Sequence, residues 1–190
     1  MPEKDFILAS GSPQRRALLA QIGFIPKKIE PANIDEHVLK DEKPLPYIRR
    51  VARLKALAVA ELNPKENILS ADTVIVVGQH IIQKSKSDEE QTKVMQMISG
   101  RTHRVITSVC LVDKKGHISQ RTVTTKIMMK HLTLKEIEEY VQAGEWHGVA
   151  GYKIEGMLAG YVKKIVGSYS SVVGLPLYET KSLLNGVGVY

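Results

Sequence analysis

Apolar positions along the chain change between the period of a strand and the period of a helix. The β-branched run from Ile68 to Val77 predicts a buried strand, and runs after Arg101 and from about 117 to 130 predict two more. Between Pro44 and Asn63, apolar residues recur at spacings of three and four. This spacing predicts an amphipathic helix whose inner face is formed by Ile48, Val51, Ala52, Ala56 and Val59.

The segment from Ile7 to Leu19 predicts a strand, a tight turn and the start of a helix. Ser12 is a good N-cap, and Pro13 suits the first helical position. Arg15 and Arg16 then fall in the first turn, where cations oppose the helix dipole unless an anion is bound there. The free N–H groups of that turn and two guanidinium groups would form a phosphate seat. The alternative is that both arginines are solvated or paired with carboxylates.

Charged side chains at two further places are candidates for chemistry. Asp35 and Glu36 are adjacent in a predicted loop, where such a pair is either solvated surface or part of a site. Lys55 falls at the edge of the inward stripe of the helix. From there a lysine either extends to solvent or reaches into a cleft.

Asp72 interrupts the apolar run of Ile68 to Val77, which predicts that it lies at a strand end or at a bulge. A buried carboxylate without a cation stays protonated, whereas one beside a metal or a cationic cluster stays ionised and can act as a base or a ligand. Gly78 and Gln79 predict a hairpin turn that returns Lys84 to the same end as Asp72. Asp72 and Lys84 are therefore candidates for a shared site.

The balance of charges calls for an acidic partner. The net charge is +7 and the isoelectric point is near 9.4, which fits either a nucleic acid backbone or a small phosphorylated ligand. Aromatic residues make up only 5% of the chain, whereas proteins that bind single strands need several aromatic stacking platforms. We therefore expect a small ligand as partner and no nucleic acid.

Cysteine content and hydropathy bear on the compartment. The single cysteine, Cys110, lies in a buried-strand pattern and predicts a structural thiol in a reducing, cytoplasmic setting. No apolar run approaches the roughly 18 residues of a membrane span, so we expect no membrane partner. The N-terminal residues lack the layout of a signal peptide. No repeat or linker divides the chain, and residues 1–190 are expected to form a single domain.

Several catalytic motifs are absent from the sequence. It has no Walker loop, dinucleotide fingerprint, nucleophile elbow or metal-spaced group of Cys and His. The six histidines are isolated; His103 could contact a phosphate, although a structural or exposed histidine is the simpler interpretation. This argues against a serine or cysteine nucleophile and against zinc hydrolysis, and it leaves metal-assisted attack by water.

Four stretches carry a resemblance to a known family. Leu8–Arg15 has the sequence LASGSPQR, Ala71–Val74 has ADTV, Ser99–Val105 has SGRTHRV and Gly167–Thr180 has GSYSSVVGLPLYET. In this order they resemble the Maf family of nucleoside triphosphate pyrophosphatases. The resemblance runs from about Phe6 to Leu184, which is nearly the whole chain.

The resemblance implies a Maf-like α/β fold, in which a long mixed β-sheet with flanking helices forms two lobes around a central cleft, usually as a homodimer. It also implies cleavage of a nucleoside triphosphate to the monophosphate and pyrophosphate with a divalent cation, commonly Mg²⁺. Asp72 matches the proton acceptor of the family. The resulting assignment makes Asp72 and Lys84 catalytic and Glu36 and Asp72 metal ligands, and it gives as substrate contacts Ser10, Ser12, Gln14, Arg15, Lys55, Thr73 and Glu155.

Three positions bear on the preferred base, and they disagree. Gln14 stands where the family usually has arginine and where the branch acting on 7-methyl-GTP tends to have tryptophan. Thr73 matches the branch acting on dTTP and UTP, whereas Glu155 resembles the 7-methyl-GTP branch. An ionised carboxylate only accepts hydrogen bonds and suits the donors of guanine, while the glutamine of the other branch suits uracil or thymine. The base is therefore left open between these two classes.

Two further departures concern activity and pocket shape. Ser85 replaces the proline usual after the motif lysine, and the segment Gly148–Gly151 lacks the lysine of the family and is one residue short. The resemblance also carries an association with arrested cell division. The alternatives are a basic nucleic-acid-binding module and a catalytically degenerate protein that binds nucleotides for regulation.

Overall fold

A computed structural model describes residues 2–190, and within them seven strands form one sheet. The strands are β1 (Glu3–Leu8), β2 (Ile25–Ile29), β3 (Ile68–Val77), β4 (His80–Ile82), β5 (Thr102–Val112), β6 (Ile118–Met129) and β7 (Val162–Val166). Their order is β2-β1-β3-β5-β6-β7, with β4 paired to β3. Strand β1 is parallel to β2 and β3, and the other pairs are antiparallel. The expected mixed sheet is confirmed.

Helices flank this sheet. They are α1 (Pro13–Gln21), α2 (Pro44–Leu62), α3 (Asp88–Ile98), α4 (Leu134–Ala143), α5 (Tyr169–Val173) and α6 (Leu177–Gly186), with a short 3-10 helix at Met157–Tyr161. Local chemistry sets several ends. A capping box of Thr133 and Glu136 opens α4, and Gly144 ends it with a positive φ of 68°.

Helix α2 confirms the sequence pattern most closely. All five residues of its predicted stripe are buried, and they pack on the face of the sheet that Ile68, Val74 and Val76 also line. On the same face, the Ser70 hydroxyl donates to the carbonyl of Ala52 over 2.6 Å. Burial of this stripe holds α2 against β3 and β5.

On the opposite face, two hydrophobic cores lie at the two ends of the long strands. Leu69, Ala71, Val109 and Leu111 pack with α1 and α6, whereas Ile75 and Val105 pack with α3 and α4; the former core also contains Leu18, Leu19, Leu183 and Leu184, and the latter Met95, Ile98, Ile137 and Tyr140. Between them lies the polar pair Thr73 and Thr107. These cores form the two lobes that the resemblance implies.

The sheet has a gap beside the middle of β3. Strand β5 pairs with β3 from Ile68 to Val76, which fills one edge of β3. On the other edge, β1 pairs at Ile68 and Leu69, and β4 pairs at Ile75–Val77. Within residues 2–190, the stretch between these pairings has no strand partner on that edge. The gap opens the sheet between the two cores and forms the central cleft.

The prediction that Asp72 lies at a strand end or a bulge is wrong. Asp72 lies inside the continuous strand β3 and pairs in regular register with Ser108. The break is in the strands that pair with one edge of β3, because β1 ends before Asp72 and β4 begins after it. The strand β3 itself is continuous at Asp72. The hairpin turn at Gly78 and Gln79 is confirmed, with Val77 opposite His80.

Two smaller expectations are also settled. Cys110 is buried in β5, and burial raises the pKa of its thiol to about 12, which suits a structural role. None of the helices described between residues 2 and 190 is long and apolar enough to cross a membrane.

Candidate active site

Arg15 is the centre of a cluster at the start of α1. Its Nη1 donates to Ser10 Oγ over 3.0 Å, its Nη2 to Thr73 Oγ1 over 3.4 Å and its Nε to the carbonyl of Gly174 over 2.9 Å. Ser12 caps the helix, because its hydroxyl accepts from the N–H of Arg15. A guanidinium has five N–H donors, so two of those on Arg15 have no partner within residues 2–190.

The two arginines of the first turn differ in position. Arg15 is half-buried in the gap, whereas Arg16 is exposed and its side chain forms no hydrogen bond or ion pair with the part of the chain described. Burial lowers the pKa of Arg15, while the charges of Asp72 and Glu36 raise it. An arginine remains protonated under these conditions. Of the two guanidinium groups expected to bind a phosphate, only that of Arg15 therefore lies in the cluster.

Lys55 joins two carboxylates beside this cluster. Its Nζ lies 2.7 Å from Asp72 Oδ1 and 3.0 Å from Glu36 Oε1. The side chains of Lys55 and Asp72 are 11% and 12% exposed, and that of Glu36 is 46% exposed. Lys55 thus reaches into the cleft rather than to solvent. Asp72 Oδ2 has no partner within residues 2–190, which leaves it available to water or a ligand.

The carboxylates fit a metal that is bound together with a phosphate. Within the described part of the chain, no group of three or more His, Cys, Asp or Glu side chains forms a metal cage. Asp72 and Glu36 lie on either side of Lys55 Nζ, and they supply oxygen donors only. Mg²⁺ is commonly held by one or two carboxylates, with substrate phosphates and waters completing its shell. These two residues match that requirement.

The structure does not bring Lys84 into contact with Asp72. Lys84 is exposed, and its backbone forms an isolated bridge to Ala150. It lies just beyond β4 and borders the gap, but within residues 2–190 its side chain has no ion pair with the cluster. The hairpin is present as predicted, but it does not bring the Lys84 side chain into contact with Asp72.

The three positions that bear on the base lie in different surroundings. Thr73 belongs to the Arg15 cluster, and Gln14 Oε1 accepts from the Ser12 hydroxyl over 3.1 Å. Glu155 is exposed in the loop before the 3-10 helix, where it lines a cavity of about 350 Å³ with Lys163, Lys164 and Tyr169. It forms no hydrogen bond with the Arg15 cluster in the described residues.

Sequence reasoning missed Thr107 and Gly174. Thr107 lies opposite Thr73 in β5, is fully buried, and has its Oγ1 3.0 Å from Thr73 Oγ1. Gly174 follows α5 and supplies a carbonyl to Arg15. A threonine within the apolar run of β5 was visible in the sequence, but its partner depends on the register of β3 and β5.

His103 has a structural position. It is buried in β5, and its Nε2 lies 2.6 Å from the hydroxyl of Tyr152. Burial lowers the pKa of His103 to about 4 from 6.5. The imidazole is therefore neutral in the folded protein near neutral pH, which agrees with a structural histidine rather than a phosphate ligand.

This burial predicts a pH-dependent loss of stability. The unfolded chain binds a proton on His103 below pH 6.5, while the folded chain does so only near pH 4, so stability is full above 6.5 and falls as the pH decreases. Between pH 7 and pH 5 the loss is about 2 kcal/mol. Urea unfolding at both pH values measures this loss of unfolding free energy.

His103→Gln should reduce the loss between pH 7 and pH 5, whereas His80→Gln, at an exposed site, should leave it unchanged. An equal loss in the wild type and both variants would contradict the prediction.

A model of the family described as Maf-like protein matches residues 5–187. This chain belongs to the Maf family. Curated Maf relatives named dTTP/UTP pyrophosphatase include proteins of Paramagnetospirillum magneticum, at 46% identity over 96% of each chain, and of Caulobacter vibrioides, at 44% identity over 96% of this chain and 95% of the relative. Another, of Agrobacterium fabrum, is 42% identical over 98% of this chain and 93% of the relative.

Solved structures also match this Maf protein. One of them is a nucleoside-triphosphatase / dITP/XTP pyrophosphatase from Mycobacterium abscessus, which is 14% identical over 75% of this chain and 95% of that chain, with a TM-score of 0.44. That likeness is too weak to bear on fold or function. The family assignment rests on the family model and on the curated relatives.

Proposed function

We propose that this Maf protein hydrolyses dTTP and UTP to the nucleoside monophosphate and pyrophosphate. The observation that carries the proposal is the meeting of Arg15 with Ser10 and Thr73 next to the Lys55, Asp72 and Glu36 group, in a chain whose relatives are named for this activity. Unpartnered guanidinium N–H donors in a cleft can bind a polyphosphate, and a carboxylate beside them can activate water.

In this mechanism the chain positions the phosphates and removes one proton. The two unpartnered N–H donors of Arg15 bind phosphate oxygens, and the ammonium of Lys55 adds positive charge beside them. Asp72 Oδ2 accepts the proton of a water molecule as its oxygen attacks the α-phosphorus. The bond from the α-phosphorus to the bridging oxygen breaks, and pyrophosphate leaves with that electron pair.

The carboxylates carry the metal part of the proposal. Asp72 and Glu36 would hold Mg²⁺, which when bound neutralises phosphate charge and orients the oxygens for displacement. Lys55 lies between both carboxylates, so it offsets one of their two negative charges before the nucleotide is bound. Asp72 Oδ1 contacts Lys55, which leaves Oδ2 for the proton of the attacking water.

For the base, the relatives and Thr73 favour dTTP and UTP over 7-methyl-GTP. Glu155 alone points the other way, and it is exposed in a cavity lined also by Lys163, Lys164 and Tyr169. A solvated carboxylate is a weak determinant of specificity, because water competes for its hydrogen bonds. We therefore infer a preference for thymine and uracil nucleotides.

A panel of nucleoside triphosphates tests the proposal. We expect pyrophosphate release from dTTP and UTP with Mg²⁺ and at least about tenfold lower kcat/KM for CTP, GTP and 7-methyl-GTP. Removing the metal with EDTA should abolish release, and adding Mg²⁺ should restore it. Turnover of 7-methyl-GTP alone would assign the other branch. No turnover of any nucleotide, together with steeply salt-dependent binding of DNA or RNA, would favour the nucleic-acid alternative.

The remaining expectations stay predictions. They are the homodimer, the cytoplasmic setting, the single domain over 1–190, the link to arrested cell division and the absence of nucleic-acid and membrane partners. Light scattering would test the dimer first, since a monomeric mass at working concentration contradicts it.

A further inference from the structure

A chain of hydrogen bonds runs from Arg15 to α5. The Thr107 hydroxyl oxygen lies 2.7 Å from the carbonyl of Ser171 and 3.0 Å from Thr73 Oγ1. Its single hydrogen therefore faces two acceptors, the Ser171 carbonyl and the Thr73 hydroxyl oxygen. Thr73 Oγ1 also accepts from Arg15 Nη2 over 3.4 Å.

Strands β5 and β6 also fix the segment that holds the other side of Arg15. Thr125, buried in β6, donates to the carbonyl of Ser168 and accepts from its N–H. Thr107 of β5 holds Ser171 three residues later. The segment ends at Gly174, whose carbonyl accepts from Arg15 Nε. Two of the three acceptors of Arg15, Thr73 and Gly174, therefore depend on Thr107.

The hydrogen bonds made by Thr107 are buried, so each of them depends on its protein partner. Thr107 and Ser171 are fully buried, so water cannot replace a lost hydroxyl there without a rearrangement. Valine has the shape of threonine but no hydroxyl. A valine at this position would leave the Ser171 carbonyl with only the N–H of Gly174 as donor and would remove the hydroxyl that contacts Thr73.

We propose that Thr107 is a positioning residue that fixes the guanidinium of Arg15 for phosphate binding. It does so through its hydrogen bonds to the Thr73 hydroxyl and to the Ser171 carbonyl of α5. The inference rests on the proposed function for its catalytic consequence. It also assigns Thr73 a role: its hydroxyl oxygen serves the site as an acceptor for Arg15.

Steady-state kinetics on dTTP give the first test. Thr107→Val should lower kcat/KM by about tenfold or more, and Thr107→Ser, which keeps the hydroxyl, should stay within about threefold of the wild type. Thr124→Val on neighbouring β6 is the matched control, since Thr124 is exposed and has no side-chain hydrogen bond in the described residues. An unchanged kcat/KM in Thr107→Val would overturn the proposal.

A double-mutant cycle separates positioning from a general loss of structure. In an Arg15→Lys background, Thr107→Val should change kcat/KM by less than about threefold, because its effect acts through the fork that is already lost. If the two losses multiply, Thr107 does not act through Arg15. Should Thr107→Val fail to fold, Thr73→Val provides the same cycle from the next member of the chain.

A readout without turnover keeps this test distinct from that of the proposed function. In the wild type, the Nε–H signal of Arg15, assigned by its loss in Arg15→Lys, should exchange slowly with solvent because it is bonded to Gly174. Thr107→Val should speed that exchange by about tenfold or more, and Thr124→Val should not. If no nucleotide is hydrolysed, the proposed function fails while this exchange still decides the positioning role; equal exchange rates would overturn it.

Discussion

Asp72→Asn is expected to lower kcat on dTTP by about 10²–10⁴-fold, the range typical of losing a general base. The amide has nearly the same size and can still contact Lys55, but it cannot take the proton of the attacking water. It also weakens the site proposed for Mg²⁺. Pyrophosphate release under saturating dTTP and Mg²⁺ measures the effect.

The control for this variant removes a carboxylate elsewhere. Asp41 is exposed and has a positive φ of 58°, a conformation that asparagine adopts readily. Asp41→Asn therefore changes the net charge by the same amount and should keep wild-type turnover. A thermal melt checks that Asp72→Asn is folded. If folded Asp72→Asn retains near wild-type kcat, Asp72 is not the base.

Arg15→Lys is expected to lower kcat/KM by about 10²-fold or more. Lysine keeps the positive charge but loses the planar fork that binds Ser10, Thr73 and Gly174 while leaving two donors for phosphate. A single ammonium cannot satisfy these acceptors and the phosphate together. The loss should appear with dTTP and UTP alike, because it concerns the phosphates and not the base.

The next residue provides the matched control. Arg16 belongs to the same turn of α1 but is exposed. Arg16→Lys should therefore stay within about twofold of the wild type, as is usual for exposed positions without partners. Equal losses in the two variants would mean that the general charge of the helix start matters, and not the fork of Arg15.

Local patterns predicted much of the secondary structure. The ends of α2, the cap at Ser12 and the turn at Gly78 follow from interactions within a few residues. Such interactions are encoded where they act, so one sequence suffices to find them. The error at Asp72 has the opposite origin, since the missing strand partner there belongs to other parts of the chain.

Candidate residues were recognised more easily than their partners. Ser10, Arg15, Lys55, Asp72 and Glu36 were identified from residue type, from helix position and from the family resemblance, and the fold brings them to one gap. Lys84 and Glu155 came from the same reasoning, yet their side chains are exposed outside the cluster. Motif membership does not fix where a side chain points.

By itself, the sequence determined part of the secondary structure, the buried stripe of α2, the family and the residue types that could bind a phosphate. Only the tertiary structure decided that β1 and β4 leave the middle of β3 uncovered, that Lys55 lies between Asp72 and Glu36, and that Thr107 stands behind Thr73. The physical reason is the distance along the chain over which each kind of interaction acts. Helix periods and caps act over a few residues, whereas strand register and the meeting of side chains arise from packing between segments far apart in the chain.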